Sequence, residues 1–231
     1  MTGLLDQRLS QASGNAVAMW SALARARGDR VSERPTFTAV DGRRFRIMVR
    51  TADPDRAELA ALARRQRENG RTVVVEDPFR VLDLRGIGMA ARQLPVMVRE
   101  PAPVPEEPTV TRVKTRAELR KAEDIVVHGF PLEEYQPLEP GKVFPAGTPG
   151  QAFFLKDGEG ACLAMADDQV GGVYWVTTMP EHRSKGVGRA LMHAVLRHFE
   201  DRPVTLTASR SGAPLYDKLG FTTLGVADWW R

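Results

Sequence analysis

A single cysteine, Cys162, in a chain of 231 residues excludes an intrachain disulfide framework. It lies in the apolar run CLAMA and reads as a core residue. No apolar run approaches the roughly 20 residues of a membrane-spanning helix. Asp6 and Arg8 interrupt the first apolar residues, so a secretory signal is not read there either. No membrane association and a cytoplasmic location are the expectations. Lysine is absent through Pro108, where 18 arginines face 14 acids; the remainder holds 15 cations and 15 acids, so the formal net charge of +4 sits wholly in the first part. Arg43, Arg44, Arg64, Arg65 and Arg67 could meet nucleic acid, but neither interleaved aromatics nor a recognisable motif accompanies them. Arg64, Arg65 and Arg67 also fit the solvated face of a helix from about Pro54 to Glu68, buried through Leu59, Leu62 and Ala63. Nucleic acid is the less favoured partner.

The length allows one sizeable core or two smaller ones. The run EPAPVPEEPT, Glu100 to Thr109, carries four prolines, which favour extended geometry and cannot enter a sheet interior or a helix. It divides the chain into an α/β domain at 1–100, a linker at 101–109 and a second domain at 110–231. In the first, a helix is expected at Asn15 to Arg27, strands at Thr36 to Val40 and Arg44 to Arg50, then the Leu59 helix and a strand at Thr72 to Val75. In the second, a strand at Val110 to Lys114 and a helix at Arg116 to His128 precede the proline-rich stretch PLEEYQPLEPGKVFPAGTPG. Strands follow at Ala152 to Leu155, Ala161 to Met165 and Val173 to Thr178.

The stretch VYWVTTMPEHRSKGVGRALM, Val173 to Met192, carries the most chemistry. Val173 to Thr178 alternates as a strand, and Pro180 ends it. From Gly188 onward Leu191, Met192, Val195, Leu196 and Phe199 recur at helical spacing. A helix start leaves backbone N–H groups unpaired and carries the positive end of the dipole, so it favours an anion. Gly186 and Gly188 let those amides approach phosphate oxygens, and Arg183, Lys185 and Arg189 add charge. Neither the Walker pattern nor the three-glycine Rossmann pattern is met. The plain alternative is a basic turn capping an ordinary helix.

The string Arg183 to Gly188 resembles motif A of the GCN5-related N-acetyltransferases, Arg/Gln-x-x-Gly-x-Gly/Ala. One helix downstream, TLTASRSGAPLYDKLGFTTLG, Thr205 to Gly225, resembles motif B of that family. The resemblance covers about Val110 to Arg231. It implies a mixed, mostly antiparallel central sheet flanked by helices, and acyl transfer from acetyl-CoA to the primary amine of a small molecule or peptide. It further implies that Arg183, Ser184, Lys185, Gly186, Val187, Gly188 and Arg189 hold the pyrophosphate of CoA. The backbone of Val176, Thr177 and Thr178, where the strands splay, would hold the pantetheine arm, and an N–H near Val176 could polarise the thioester carbonyl. Tyr216 would protonate the departing thiolate as general acid. Its other reading is an aromatic filling the gap between a short helix and the sheet.

No general base is legible. Glu181 reads as a loop-bracing residue, and Glu133, Glu134 and His128 read first as surface charges or a satisfied histidine. Phe130, Tyr135 and Phe144 could line an acceptor pocket or pin a long loop. No metal site is expected, and a homo-oligomer is left open. Within the chain, RTVVVEDPF…VLDLRGIGMAARQLPVMVRE, from Arg71, echoes RPVTLTASRSGAPLYDKLGFTTLG, from Arg202, with Leu84 where Tyr216 falls. Either the first half is a partial acetyltransferase-like unit lacking the acid and the glycine loop, or two short α/β segments coincide. The other function class open to the chain is a non-catalytic acyl-CoA-binding sensor or regulatory module, which would need no phenol at the leaving group.

Overall fold

A computed structural model describes residues 2–130 and 132–231. Pro131, which opens the proline-rich stretch, lies outside the described residues. Along the chain run α1 (Thr2–Arg27), β1 (Arg30–Glu33), β2 (Phe37–Asp41), β3 (Phe45–Val49), α2 (Arg56–Glu68), β4 (Val73–Asp77) and β5 (Ala91–Arg99). They are followed by β6 (Thr111–Arg112), α3 (Arg116–Gly129), β7 (Gln151–Lys156), β8 (Gly160–Ala166) and β9 (Gly171–Thr178). The chain ends with α4 (Val187–His198), β10 (Val204–Thr207), α5 (Ala213–Lys218) and β11 (Thr222–Trp230). The expected elements are all present. α1 reaches thirteen residues further towards the N-terminus than its periodicity indicated, because Leu4 and Leu5 on its first turns are exposed and leave no buried stripe to read. The strand expected at Val110 to Lys114 is only two residues long.

The chain forms two compact units. The first takes residues up to Met97 together with Thr207–Ala213 and Thr222–Arg231; the second takes Val98–Leu206 and Pro214–Phe221. These differ from contiguous halves at 1–100 and 110–231, because the last strand belongs with the first part of the chain. β11 runs antiparallel to β4, with Asp228 opposite Asp77 and Trp230 opposite Val75. Trp230 is buried among Val75, Leu82, Leu84 and Met89. Strand partners so distant in sequence leave no local signature, whereas the proline run does.

In the first unit the strand order is β1-β2-β3-β4-β11-β5; β1 with β2, β2 with β3 and β4 with β11 run antiparallel, and α2 connects the parallel pair β3 and β4. Phe37, Ile47, Val49, Leu59 and Ala63 form its core with the residues around Trp230. α2 opens on Asp55, whose carboxylate accepts the Glu58 N–H at 2.9 Å. In the second unit the order is β10-β9-β8-β7-β6, antiparallel except for the parallel pair β9 and β10 that α4 connects. Phe154 on β7 meets His198 of α4, while its neighbour Phe153 meets Phe144 of the long loop, so helix and loop cover opposite faces of that strand. α3 opens on a complete capping box, Thr115 with Glu118.

Candidate active site

The end of β9 is irregular. Against β8, Thr177 pairs with Ala161 and Tyr174 with Leu163, so Trp175 and Val176 together face the single residue Cys162. Trp175 takes a positive φ of 49° to make this bulge. Against β10, β9 pairs only at Gly171 and Gly172, opposite Val204 and Thr205. From Val173 onward the two parallel strands share no ladder. The edge of β9 that carries Val176, Thr177 and Thr178 therefore borders a gap instead of a neighbouring strand. Thr177 is buried, and its hydroxyl donates to the Trp175 carbonyl at 2.9 Å, bracing the bulge from within.

Beyond β9 the chain is tied down before it reaches the glycines. Met179 N–H donates to the Glu159 carbonyl at 2.9 Å, and the Arg183 guanidinium reaches the Gly129 carbonyl at 3.4 Å. Ser184 and Gly186 then adopt left-handed conformations, φ 61° and 84°. Gly186 sits at the cap of α4, where no side chain bonds to the first-turn amides and the first turn holds no acid. This differs from α2 and α3, which are capped by their own side chains. A side chain at Gly186 would meet open space, so the glycine is set there by its backbone angle. Arg183, Ser184, Lys185, Gly186 and Arg189 are exposed, whereas Val187 is buried and anchors the helix. At Gly188 a Cβ would lie 3.2 Å from Leu215 Cδ2, so this glycine lets α5 pack onto the start of α4.

Tyr216 follows Leu215 on α5. It is 8% exposed, and its ring meets Phe221 edge-on with centroids 5.8 Å apart. Burial pushes the phenol above its ordinary range, and the neighbouring Cys162 adds a smaller push in the same direction. The hydroxyl therefore keeps its proton throughout the neutral range. Burial likewise pushes the Cys162 thiol up, leaving it a core residue without thiolate character. α5 ends at Lys218, the chain turns at Gly220, φ 83°, and the Leu219 carbonyl accepts from Arg99 Nε at 2.8 Å.

The structure thus brings the glycine turn, the β9 edge and the Tyr216 helix together within the second unit. His128 is exposed and bonds through Nδ1 to the Asp124 carbonyl of its own helix at 2.9 Å; Glu133 and Glu181 are exposed. Phe144 is fully buried against Phe153 and Trp175, centroids 4.7 and 5.4 Å apart, so it pins the loop over the bulge. Phe130 is 46% exposed. The residue that the sequence reading missed is Glu123. Its carboxylate, 1% exposed, accepts N–H bonds from Gly141 at 2.6 Å and from Val143 and Phe144 at 2.9 Å, with Arg120 at 3.3 Å. One buried carboxylate so clamps a loop eighteen residues away, and the only hint in the sequence is an acid on the apolar stripe of α3. Among the described residues no group of His, Cys, Asp and Glu could hold a metal ion. Nor is any helix there long and apolar enough to cross a membrane.

Residues 151–227 match the family model described as the acetyltransferase (GNAT) domain. Among solved structures the chain is similar to a GCN5-related N-acetyltransferase from Kribbella flavida, at 21% identity over 95% of this chain and 94% of that one, TM-score 0.64. It is also similar to a GNAT-family protein from Novosphingobium aromaticivorans, at 15% identity over 95% of each chain, TM-score 0.58. A GCN5-related N-acetyltransferase-like protein from Streptococcus suis matches at 13% identity over the whole of both chains, TM-score 0.52. No curated protein sequence matches. Residues 151–227 are accordingly an N-acetyltransferase domain of the GNAT family, set in a mixed, mostly antiparallel α/β fold.

Proposed function

We propose that the chain transfers an acetyl group from acetyl-CoA to the primary amine of a small molecule or peptide by direct attack. The observation that carries this reading is the contact of Leu215 with Gly188, which sets the helix bearing Tyr216 directly on the uncapped, glycine-opened start of α4. The residues fit the cofactor: Gly186 leaves open space at a helix start with no side-chain cap, where a pyrophosphate satisfies the first-turn amides. Arg183, Lys185 and Arg189 add charge around it, with Ser184 and Val187 contributing backbone. Val176, Thr177 and Thr178 hold the pantetheine arm along the unpaired edge of β9 and aim an N–H at the acyl oxygen. Bound acetyl-CoA supplies an activated acyl group and a thiolate leaving group.

Tyr216 would direct its hydroxyl proton toward the departing sulfur, while the proton lost by the amine would pass to water, which returns to the phenol any proton it gives up. Because burial raises the phenol, complete transfer to a thiolate of ordinary pKa about 8.5 is uphill, and much of the benefit comes from the hydrogen bond itself. The first unit is a related α/β unit without a CoA site, and the cytoplasm, which supplies acetyl-CoA, is the expected location.

Two measurements test this. Acetyl-CoA at 100-fold over its dissociation constant should stabilise the protein by about 2.7 kcal/mol, read as a rise in Tm. Tyr216→Phe should leave that shift nearly intact while lowering single-turnover transfer to an amine acceptor about 100-fold. Transfer as fast in Tyr216→Phe as in the parent returns Tyr216 to packing, and a protein unshifted by any acyl-CoA ends the acyltransferase reading.

A further inference from the structure

Glu123 on α3 stands at one end of a line of contacts that runs to the candidate site, all of it within the second unit. Its Oε1 accepts from the Val143 and Phe144 amides at 2.9 Å, and its Oε2 accepts from the Gly141 amide at 2.6 Å and from Arg120 at 3.3 Å. The loop is shaped to meet it: Gly141 takes a φ of 83°, and a Cβ there would collide with the Arg120 guanidinium. Desolvation offsets much of what these bonds contribute to stability, while their several directions fix the loop in one position.

The clamp orients Phe144, whose fully buried ring lies against Phe153 and Trp175. Trp175 is the first of the two bulge residues, and its φ of 49° is a conformation that a bulky side chain keeps only where its surroundings impose it. Among the contacts that impose it are the Thr177 hydroxyl on the Trp175 carbonyl and the Phe144 ring on the Trp175 indole. Val176 follows directly and opens the unpaired edge of β9. The line from Glu123 therefore leads to the strand edge rather than to the glycine turn. Being 1% exposed, Glu123 acts through Phe144 and not on a ligand itself.

We infer that Glu123 is a positioning residue for the acyl end of the cofactor: through Phe144 it holds Trp175 in the bulge that aligns the edge from Val176 to Thr178. The inference rests on the acetyl-CoA placement proposed above, and it predicts that the two ends of the cofactor respond differently when the clamp is lost. Calorimetric titration of the full chain compares acetyl-CoA with 3′-phosphoadenosine diphosphate, the CoA fragment that keeps the pyrophosphate and lacks the pantetheine arm. Glu123→Gln keeps the side-chain volume but turns one accepting oxygen into a donating amide. It should weaken acetyl-CoA about tenfold and leave the fragment within about twofold of the parent. Phe144→Leu removes the ring from Trp175 while leaving the backbone bonds to Glu123 in place; it should give the same split, and it carries the test if Glu123→Gln fails to fold. A general loss of stability would weaken both ligands alike. Absence of the split in either folded variant, with the parent binding both ligands, overturns the inference and leaves the acyl-transfer reading standing. A parent that does not bind both ligands overturns the cofactor placement, and the inference with it.

Discussion

The chain builds a parallel strand, helix, strand crossover twice, as β3-α2-β4 in the first unit and β9-α4-β10 in the second. In the first, the parallel ladder runs through four residue pairs, from Phe45 with Val73 to Met48 with Glu76. The helix is closed by its own Asp55, and Asp53 adds a second acid in the same connection. In the second, the ladder stops after two pairs, a bulge turns the strand end, and the helix opens on a left-handed glycine with no side-chain cap. The same crossover is therefore zipped and self-satisfied in one place and parted and unsatisfied in the other. Under the proposed function, the difference is who supplies the partners of the first helical amides: an aspartate of the chain itself in α2, or a ligand in α4.

The two crossovers also differ in what they bury. Arg46 on β3 stacks 3.7 Å from the Trp20 ring and forms a buried ion pair with Glu76 on β4. Burial raises the Glu76 carboxyl, and Arg46 offsets part of that. Arg46→Ala should strand the carboxylate and produce the largest effect, a stability loss of about 3–5 kcal/mol in chemical denaturation. The folded carboxyl titrates above its unfolded value, so the folded state binds the extra proton. Without Arg46 the folded carboxyl rises further still, so the deficit should grow as pH rises above the parent's folded value and shrink as pH falls below it. A deficit that is constant between acidic and neutral pH would show that the pair is not what distinguishes the zipped crossover.

Giving the second crossover the acidic character of the first comes next in size. Lys185→Glu with Arg189→Glu, both exposed, should leave Tm without ligand nearly unchanged and weaken acetyl-CoA about 100-fold, or about 2.7 kcal/mol. Calorimetric titration reads it, and undiminished affinity would place the pyrophosphate elsewhere. Smallest is the converse loss: Asp55→Ala removes the cap of α2 and should cost about 1 kcal/mol of stability without altering acetyl-CoA affinity.

The motif A and B segments were legible because each is local. A strand, a left-handed glycine and a basic helix start follow one another within Val173 to Met192, and a short helix with a glycine end follows within Thr205 to Gly225. Glu123 was not legible, since an acid on an apolar stripe looks the same whether it is a clamp or a misfit until the loop carrying Gly141, Val143 and Phe144 is folded over it. Phe144 and Phe130 were indistinguishable in sequence and have opposite fates, one fully buried and the other exposed.

By itself the sequence determined the periodicities, the glycines that permit positive φ, the proline breaks and the charge at the head of α4, because these depend on residues a few positions apart. Tertiary structure alone decided that β11 joins β4, that β9 and β10 part after two pairs, and that Leu215 seats Tyr216 on Gly188. Those outcomes turn on which distant surfaces bury each other, and burial is a property of the folded chain rather than of any segment.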